Sequence, residues 1–122
     1  MKAPRTWAFL LPVNLGLLNP NKPMHYMAKH RLRQTVKTAA HTVWVSQGKP
    51  TAKGRVRVDL ISMRKKALDE DNMWAAFKAV GDGLFNNAMT PDDSPKHVTL
   101  GTVTHVYDKH KVGLVVRVTE VE

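Results

Sequence analysis

The sequence contains no cysteine, and this absence excludes several kinds of site. Without thiols the chain forms neither a disulfide nor a thiolate metal centre, and its composition suits a reducing compartment. The six histidines fall at neither HExxH nor zinc-finger spacing. We therefore expect a cytoplasmic protein in which any metal is held by carboxylate oxygens.

The sequence also has no apolar run long enough to cross a bilayer. Its apolar stretch at residues 7–18 is interrupted by Pro12, Asn14 and Gly16. A membrane-spanning helix needs about 20 mostly apolar residues, and a secretory signal ends in a small-residue cleavage site that this stretch lacks. We expect a soluble protein without membrane association, and we interpret the stretch as a buried strand with its exit loop.

Acidic residues are scarce relative to basic ones, ten against nineteen, so the formal net charge is +9. Such an excess favours nucleic acid, an anionic membrane surface or an acidic protein as partner. It does not specify a reaction, because non-catalytic nucleic-acid-binding proteins carry the same excess. With 122 residues the chain can bury one hydrophobic core, so we expect a single domain over residues 1–122.

Strand-like and helix-like hydrophobic periodicities follow one another in the order β-α-β-α-β-β. Strands are predicted over residues 6–11, 55–63, 98–107 and 112–121, and helices over residues 24–47 and 71–85. The apolar stripes are Leu32, Val36, Ala39 and Val43 in the first helix, and Met73, Phe77, Val80 and Leu84 in the second. Burying both stripes favours an α+β domain with one mixed sheet covered by two helices.

Basic residues cluster on the first predicted helix and at the end of the second predicted strand. Lys29, Arg33 and Lys37 share a helical face that differs from the apolar stripe. These cations form either a solubilising face or a surface for phosphates. The charge surplus favours phosphate contacts, which fix position without reading bases. The predicted DNA-binding residues are Lys29, Arg31, Arg33, Lys37, Arg64, Lys65 and Lys66.

An acidic cluster, Asp69-Glu70-Asp71, follows this basic strand end. On an extended segment the Asp69 and Asp71 carboxylates point to one side, about 6–7 Å apart along the backbone, and a divalent cation fits between them. The alternative is an acidic helix N-terminus stabilised by the helix dipole, with Asp71 or Asn72 as its cap. That alternative does not explain why the acids follow three cations at the end of an apolar strand.

Two further features extend the acidic cluster into a candidate site. Asp92-Asp93 is either an ordinary turn or the source of a third carboxylate, returned to the first two by the second helix. Lys78 lies seven residues after Asp71, within about 20° of the same helical azimuth. It is either the surface ion-pair partner of Asp82 or a cation that stabilises charge on a reacting phosphate.

Carboxylates flanked by cations allow an enzyme to bring a metal ion and water to a phosphodiester. Mg²⁺, with Mn²⁺ as an alternative, takes oxygen ligands and keeps several waters, so three carboxylates suffice. The pattern therefore predicts a metal-dependent nuclease. Trp74, at the border of its apolar stripe, is either a core residue or a platform on which a base stacks.

Together these motifs resemble the RusA family of Holliday junction resolvases (crossover junction endodeoxyribonucleases), which phages and prophages often carry. The likeness rests on a basic strand end, Asp69-x-Asp71-Asn72, a helix bearing Lys78, the Asp82-Gly83-Leu84 turn, and Asp92-Asp93 before a strand. Chain length and element order agree over nearly the whole sequence. One departure is that the lysine of the best-known member lies about one turn earlier, where this chain has Ala75.

The resemblance implies that Asp69, Asp71 and Asp93 are the catalytic, metal-binding acids and that Lys78 is the catalytic lysine. It further implies Mg²⁺ as cofactor and a homodimer that nicks a four-way DNA junction symmetrically in recombination and repair. Two alternatives stay open. One is a non-catalytic nucleic-acid-binding protein, and the other is a general structure-selective nuclease of the same fold.

Overall fold

The structure is a computed structural model that describes residues 4–13, 25–66 and 70–121. Its four strands and two helices follow the predicted order β-α-β-α-β-β. The elements are β1 (Thr6–Leu11), α1 (Tyr26–Ser46), β2 (Val56–Arg64), α2 (Glu70–Leu84), β3 (Val98–Tyr107) and β4 (Gly113–Glu120). The predicted strand boundaries agree with these to within one residue. Within the described ranges, no helix combines the length and apolarity that crossing a membrane requires.

The four strands form one mixed sheet in the order β1-β4-β2-β3. β4 pairs antiparallel with both β1 and β2, whereas β3 runs parallel to β2. A parallel pair needs a crossover connection, and α2 provides it, so β2, α2 and β3 form one β-α-β unit. As a result β2 separates β3 from β4, although these two strands are consecutive in the sequence. β3 is left at the edge of the sheet.

Both helices pack against one face of the sheet, and the α+β architecture with one mixed sheet is confirmed. Along β2, the side chains of Val56, Val58 and Leu60 are fully buried, whereas the intervening Arg57 is exposed. These three residues belong to one hydrophobic cluster with residues of both helices. The apolar stripe predicted for α2 is confirmed, since all four of its residues are buried.

The buried stripe of α1 differs from the predicted one. Its buried residues are Val36, Ala40 and Trp44, whereas Ala39 is only half-buried. The prediction of Ala39 as a core residue was wrong because α1 packs against α2 as well as the sheet, and Ala40 faces Gly83 of α2. A single hydrophobic period does not reveal this second packing surface.

The two helices approach each other closely at Gly83. A Cβ atom at this position would clash with the carbonyl oxygen of Lys37 and would lie 3.0 Å from the Cβ atom of Ala40. Only glycine, which lacks a Cβ atom, permits this approach of two backbones. Gly83 therefore determines how close α1 and α2 lie along the groove between them.

Candidate active site

Asp71 is the second residue of α2 and is exposed in its first turn, where a carboxylate interacts favourably with the helix dipole. The prediction that Asp71 or Asn72 caps this helix was wrong, because the helix begins at Glu70. The extended geometry expected for the acid pair also fails at Asp71, whose backbone is helical. Asp69, its predicted partner, lies outside the described residues.

Lys78 contacts two carboxylates from different parts of the chain. Its Nζ atom lies 3.5 Å from Oδ2 of Asp93 and 3.8 Å from Oδ1 of Asp82. The first contact joins α2 to the loop before β3, and the second is an i,i+4 pair within the helix. The predicted lysine and the predicted third carboxylate are therefore neighbours. The Lys78 side chain is 71% exposed, so its ammonium is free to exchange partners in solvent.

Asp71, Trp74 and Lys78 occupy positions i, i+3 and i+7 and share one face of α2. Asp71 lies about 10 Å along the helix axis from Lys78. Within residues 4–13, 25–66 and 70–121, no three acidic or histidine side chains lie close enough together to hold a metal ion. The predicted three-carboxylate set therefore depends on Asp69, and its closure around one ion stays a prediction.

The loop that carries Asp93 is held against the end of α2. The Met89 amide donates a hydrogen bond to the carbonyl oxygen of Leu84 at 2.9 Å. Thr90 is 3% exposed, and its hydroxyl donates to the carbonyl oxygen of Asp92 at 2.7 Å. Because Met89 and Thr90 are both buried, the path of the chain up to Asp93 is determined by α2.

Asp92 and Asp93 have different surroundings although they are adjacent. The Asp92 carboxylate accepts a hydrogen bond from the Ser94 amide at 3.0 Å, and its interaction with Ser94 holds the pKa of Asp92 below the ordinary value. His97 Nε2 lies 3.9 Å from the same carboxylate. Asp92 therefore stabilises the turn, and Asp93 is the acid that reaches Lys78.

A polar groove of about 330 Å³ runs between α1 and α2. Its charged and polar lining includes His30, Arg33, Gln34 and Lys37 from α1, and Lys78 and Asp82 from α2. A neighbouring hollow shares Lys37 and Asp82 and extends the groove towards Asn86 and Asn87. Three cations against one acid suit this groove to an anionic chain. Arg33 and Lys37 were predicted from the sequence, whereas His30 and Gln34 were not, although their i,i+4 spacing places them on one helical face.

The remaining predicted DNA-binding residues lie elsewhere. Lys29 and Arg31 do not line the groove between the helices. Lys65 and Lys66 are exposed directly after β2. At the end of β2, the Nη1 atom of Arg64 is buried and has no hydrogen-bond partner among the described residues.

No protein-family model matches the chain, and no curated protein matches it. The resemblance to RusA resolvases therefore stays a prediction from the motifs.

Proposed function

We propose that this protein is a Mg²⁺-dependent endodeoxyribonuclease that cuts four-way DNA junctions, as the RusA resemblance implies. The observation that carries the proposal is the contact of Asp93 with Lys78, on the face of α2 that also bears Asp71. Phosphodiester hydrolysis needs ligands for a metal ion and cations for the phosphate. Here the carboxylates would bind the metal ion, and the Lys78 ammonium and the neighbouring cation-lined groove would contact the phosphates.

The proposed metal ligands suit Mg²⁺ in their chemistry. Asp71 and Asp93, together with Asp69, offer only carboxylate oxygens, which hard cations such as Mg²⁺ and Mn²⁺ take as ligands. The Lys78 ammonium contacts both Asp82 and Asp93, so this surface already attracts a cation. When bound, Mg²⁺ lowers the pKa of a coordinated water and neutralises charge on the leaving oxygen.

The remaining steps fall to side chains of the protein. Lys78 has a flexible stem and an exposed ammonium, so it can leave Asp93 and pair with a phosphate oxygen whose charge grows during the reaction. Arg33 and Lys37 line the neighbouring groove and would contact the phosphates of the bound strand, which fixes its position.

A four-way junction contains two scissile strands related by two-fold symmetry. A homodimer with the same symmetry would place one site on each strand, so that both nicks follow from one encounter. We therefore expect a dimer in sedimentation velocity and paired nicks at symmetric positions on the junction. We propose that this activity serves DNA recombination and repair in the cytoplasm. A monomer that cuts one strand at a time would instead favour a general structure-selective nuclease.

Substitution of Asp71 tests the proposal. We expect Asp71→Asn to reduce Mg²⁺-dependent junction cleavage by about 100-fold or more, because a weakened metal site loses the several kcal/mol of transition-state charge stabilisation that the ion supplies. Junction affinity should be retained, since the phosphate-binding cations stay in place. Glu70→Gln is the matched control, because it makes the same charge change in the same helical turn.

The assay compares cleavage with and without Mg²⁺ on four-way junctions, flaps, forks and linear duplex at one salt concentration. Unchanged nicking by Asp71→Asn would exclude Asp71 from the mechanism. Junction binding without any cleavage by the unsubstituted protein would favour the non-catalytic alternative. Equal cleavage of flaps and junctions would favour the general nuclease.

A further inference from the structure

A second groove, of about 220 Å³, lies between α2 and the edge strand β3. Most of its lining is apolar, and its walls include Trp74, Phe77, Phe85, Val98 and Leu100. Leu100 stays 55% exposed on β3, which is one of the two edge strands of the described sheet. The groove is therefore an accessible apolar surface rather than part of the closed core.

Aromatic rings on one wall of this groove are held in place by each other. The Trp74 and Phe77 rings meet edge to face, with centroids 5.7 Å apart and an interplanar angle of 88°. Phe77 is buried, whereas Trp74 is only half-buried and lines the groove. A fixed, partly exposed indole opposite an exposed leucine offers a slot suited to a flat ring.

The charged groups at this groove are the same ones that form the candidate active site. Lys78 and Asp93 both contribute to its lining. Lys78 also lines the basic groove between α1 and α2, so it stands on the ridge that separates the two grooves. An occupant that matches this arrangement has a flat apolar ring joined closely to an anionic group, and further negative charges beyond the ridge. A nucleotide within a DNA strand has this chemistry.

We propose that the groove between α2 and β3 receives one unpaired nucleobase of the bound DNA strand, stacked on Trp74, while an adjacent phosphate lies at Lys78. This inference rests on the proposed function, because it names the substrate feature that the same site recognises. Branched DNA exposes unpaired or easily unstacked bases at its branch point, whereas linear duplex does not, and taking a base out of a stack costs least where the stack is already broken.

The test is a binding measurement made without Mg²⁺, so that it does not depend on cleavage. The probes are a short single-stranded oligodeoxynucleotide and an abasic strand of equal length and equal charge. We expect the base-containing strand to bind about 5- to 150-fold more tightly, since stacking on an aromatic side chain contributes about 1–3 kcal/mol per base. Quenching of tryptophan fluorescence should accompany binding of the base-containing strand alone.

Two variants locate the effect. Trp74→Leu keeps an apolar side chain and should remove both the preference for bases and the quenching. Leu100→Gln lies on the exposed wall, where a fold defect is not expected, and should reduce the preference severalfold. Leu10→Gln is the matched control, since Leu10 is 61% exposed on β1 and lies outside the groove. It should leave the preference unchanged.

Equal affinity for the two strands would overturn the inference, as would a preference that survives both Trp74→Leu and Leu100→Gln. Binding to anionic phospholipid vesicles that depends on Trp74, without any base preference, would assign the groove to a lipid instead. If the protein cleaves junctions but shows no base preference, the base-binding inference is wrong and the proposed nuclease function stands. If it shows a base preference but does not cleave, the nuclease function is wrong and base binding in the groove stands.

Discussion

At the scale of single residues, Gly83 controls the spacing of α1 and α2. The atom that faces it is a backbone carbonyl oxygen, that of Lys37, which cannot turn away as a side chain can. The Lys37 side chain lines the basic groove between the same two helices. The width of that groove therefore follows from the absence of one methyl group in α2.

We expect Gly83→Ala to destabilise the fold by about 1–2 kcal/mol. Alanine favours a helix over glycine by about 1 kcal/mol, but overpacking at a closed interface costs about 1–3 kcal/mol, and here the clash is with backbone. Gly54→Ala is the control, since a Cβ atom there meets nothing within 4 Å. Urea unfolding of both variants measures the difference, and a more stable Gly83→Ala variant would contradict this account of the helix contact.

Which residues meet at the candidate site was predictable only in part at this scale. Helical spacing singled out Lys78, and the resemblance to RusA resolvases selected Asp93; the two side chains do meet. Spacing alone did not distinguish Asp93 from Asp92, because two adjacent carboxylates have the same chemistry. Their roles separate only through the path of the loop, which aims one at Ser94 and the other at Lys78.

At the scale of elements, an ion pair joins the start of β1 to the end of β4. The guanidinium of Arg5 donates to both carboxylate oxygens of Glu120, at 2.8 and 2.9 Å. The Lys53 amide donates to the same carboxylate at 3.1 Å, which ties in the segment before β2. The hydrogen bonds from Arg5, followed by that from Lys53, lower the pKa of Glu120 to about 2.

This ion pair should make stability depend on pH. The folded pKa of Glu120 lies below its ordinary value of 4.5, so the unfolded chain binds the proton more readily. Its contribution is therefore complete above pH 4.5 and is lost as the pH falls to about 2. We expect Glu120→Gln to lower the melting temperature at pH 6 and to match the unsubstituted protein near pH 2.

Thermal unfolding followed by circular dichroism across this pH range measures the effect. Glu70→Gln makes the same charge change in α2, far from the ion pair in sequence, and serves as the control. A difference between Glu120→Gln and the unsubstituted protein that stays constant from pH 6 to pH 2 would exclude the ion pair as its cause.

The existence and bounds of the elements were predictable, but the order of the strands was not. Alternation along each strand reports which side chains are buried, and this is a local property. Strand order depends on the crossover made by α2, which places β3 beside β2 and away from β4. Nothing in the sequences of β3 and β4 indicates that these two consecutive strands do not pair with each other.

At the scale of the whole molecule, the net charge is +9, and three of the cations line one groove between α1 and α2. Arg33 and Lys37 lie on one side of this groove and Lys78 on the other, with Asp82 as the acid among its lining residues. A cation-lined groove suits a phosphate backbone, and if this groove binds DNA as we propose, the binding should weaken steeply with salt.

We expect the double variant Arg33→Ala, Lys37→Ala to reduce the salt dependence of DNA binding. Each lost phosphate contact lowers the slope of log affinity against log salt by about 0.9 on duplex DNA, so the slope should fall by up to about 2. Lys49→Ala, Lys53→Ala removes the same charge from residues outside the groove lining and should leave the slope nearly unchanged. Fluorescence anisotropy at several salt concentrations measures both slopes, and equal reductions would show that charge alone matters.

The segment between α2 and β3 has no regular secondary structure, yet its Met89 amide donates to Leu84 and its Met89 and Thr90 side chains are buried. Deuterium uptake at the Met89 amide should therefore be as slow as in a helix, because the amide opens only when both side chains leave the core. Asp93, three residues after Thr90 in the same segment, would then keep its place in the unbound protein, so binding of the proposed DNA substrate would not have to offset the entropy of ordering this acid.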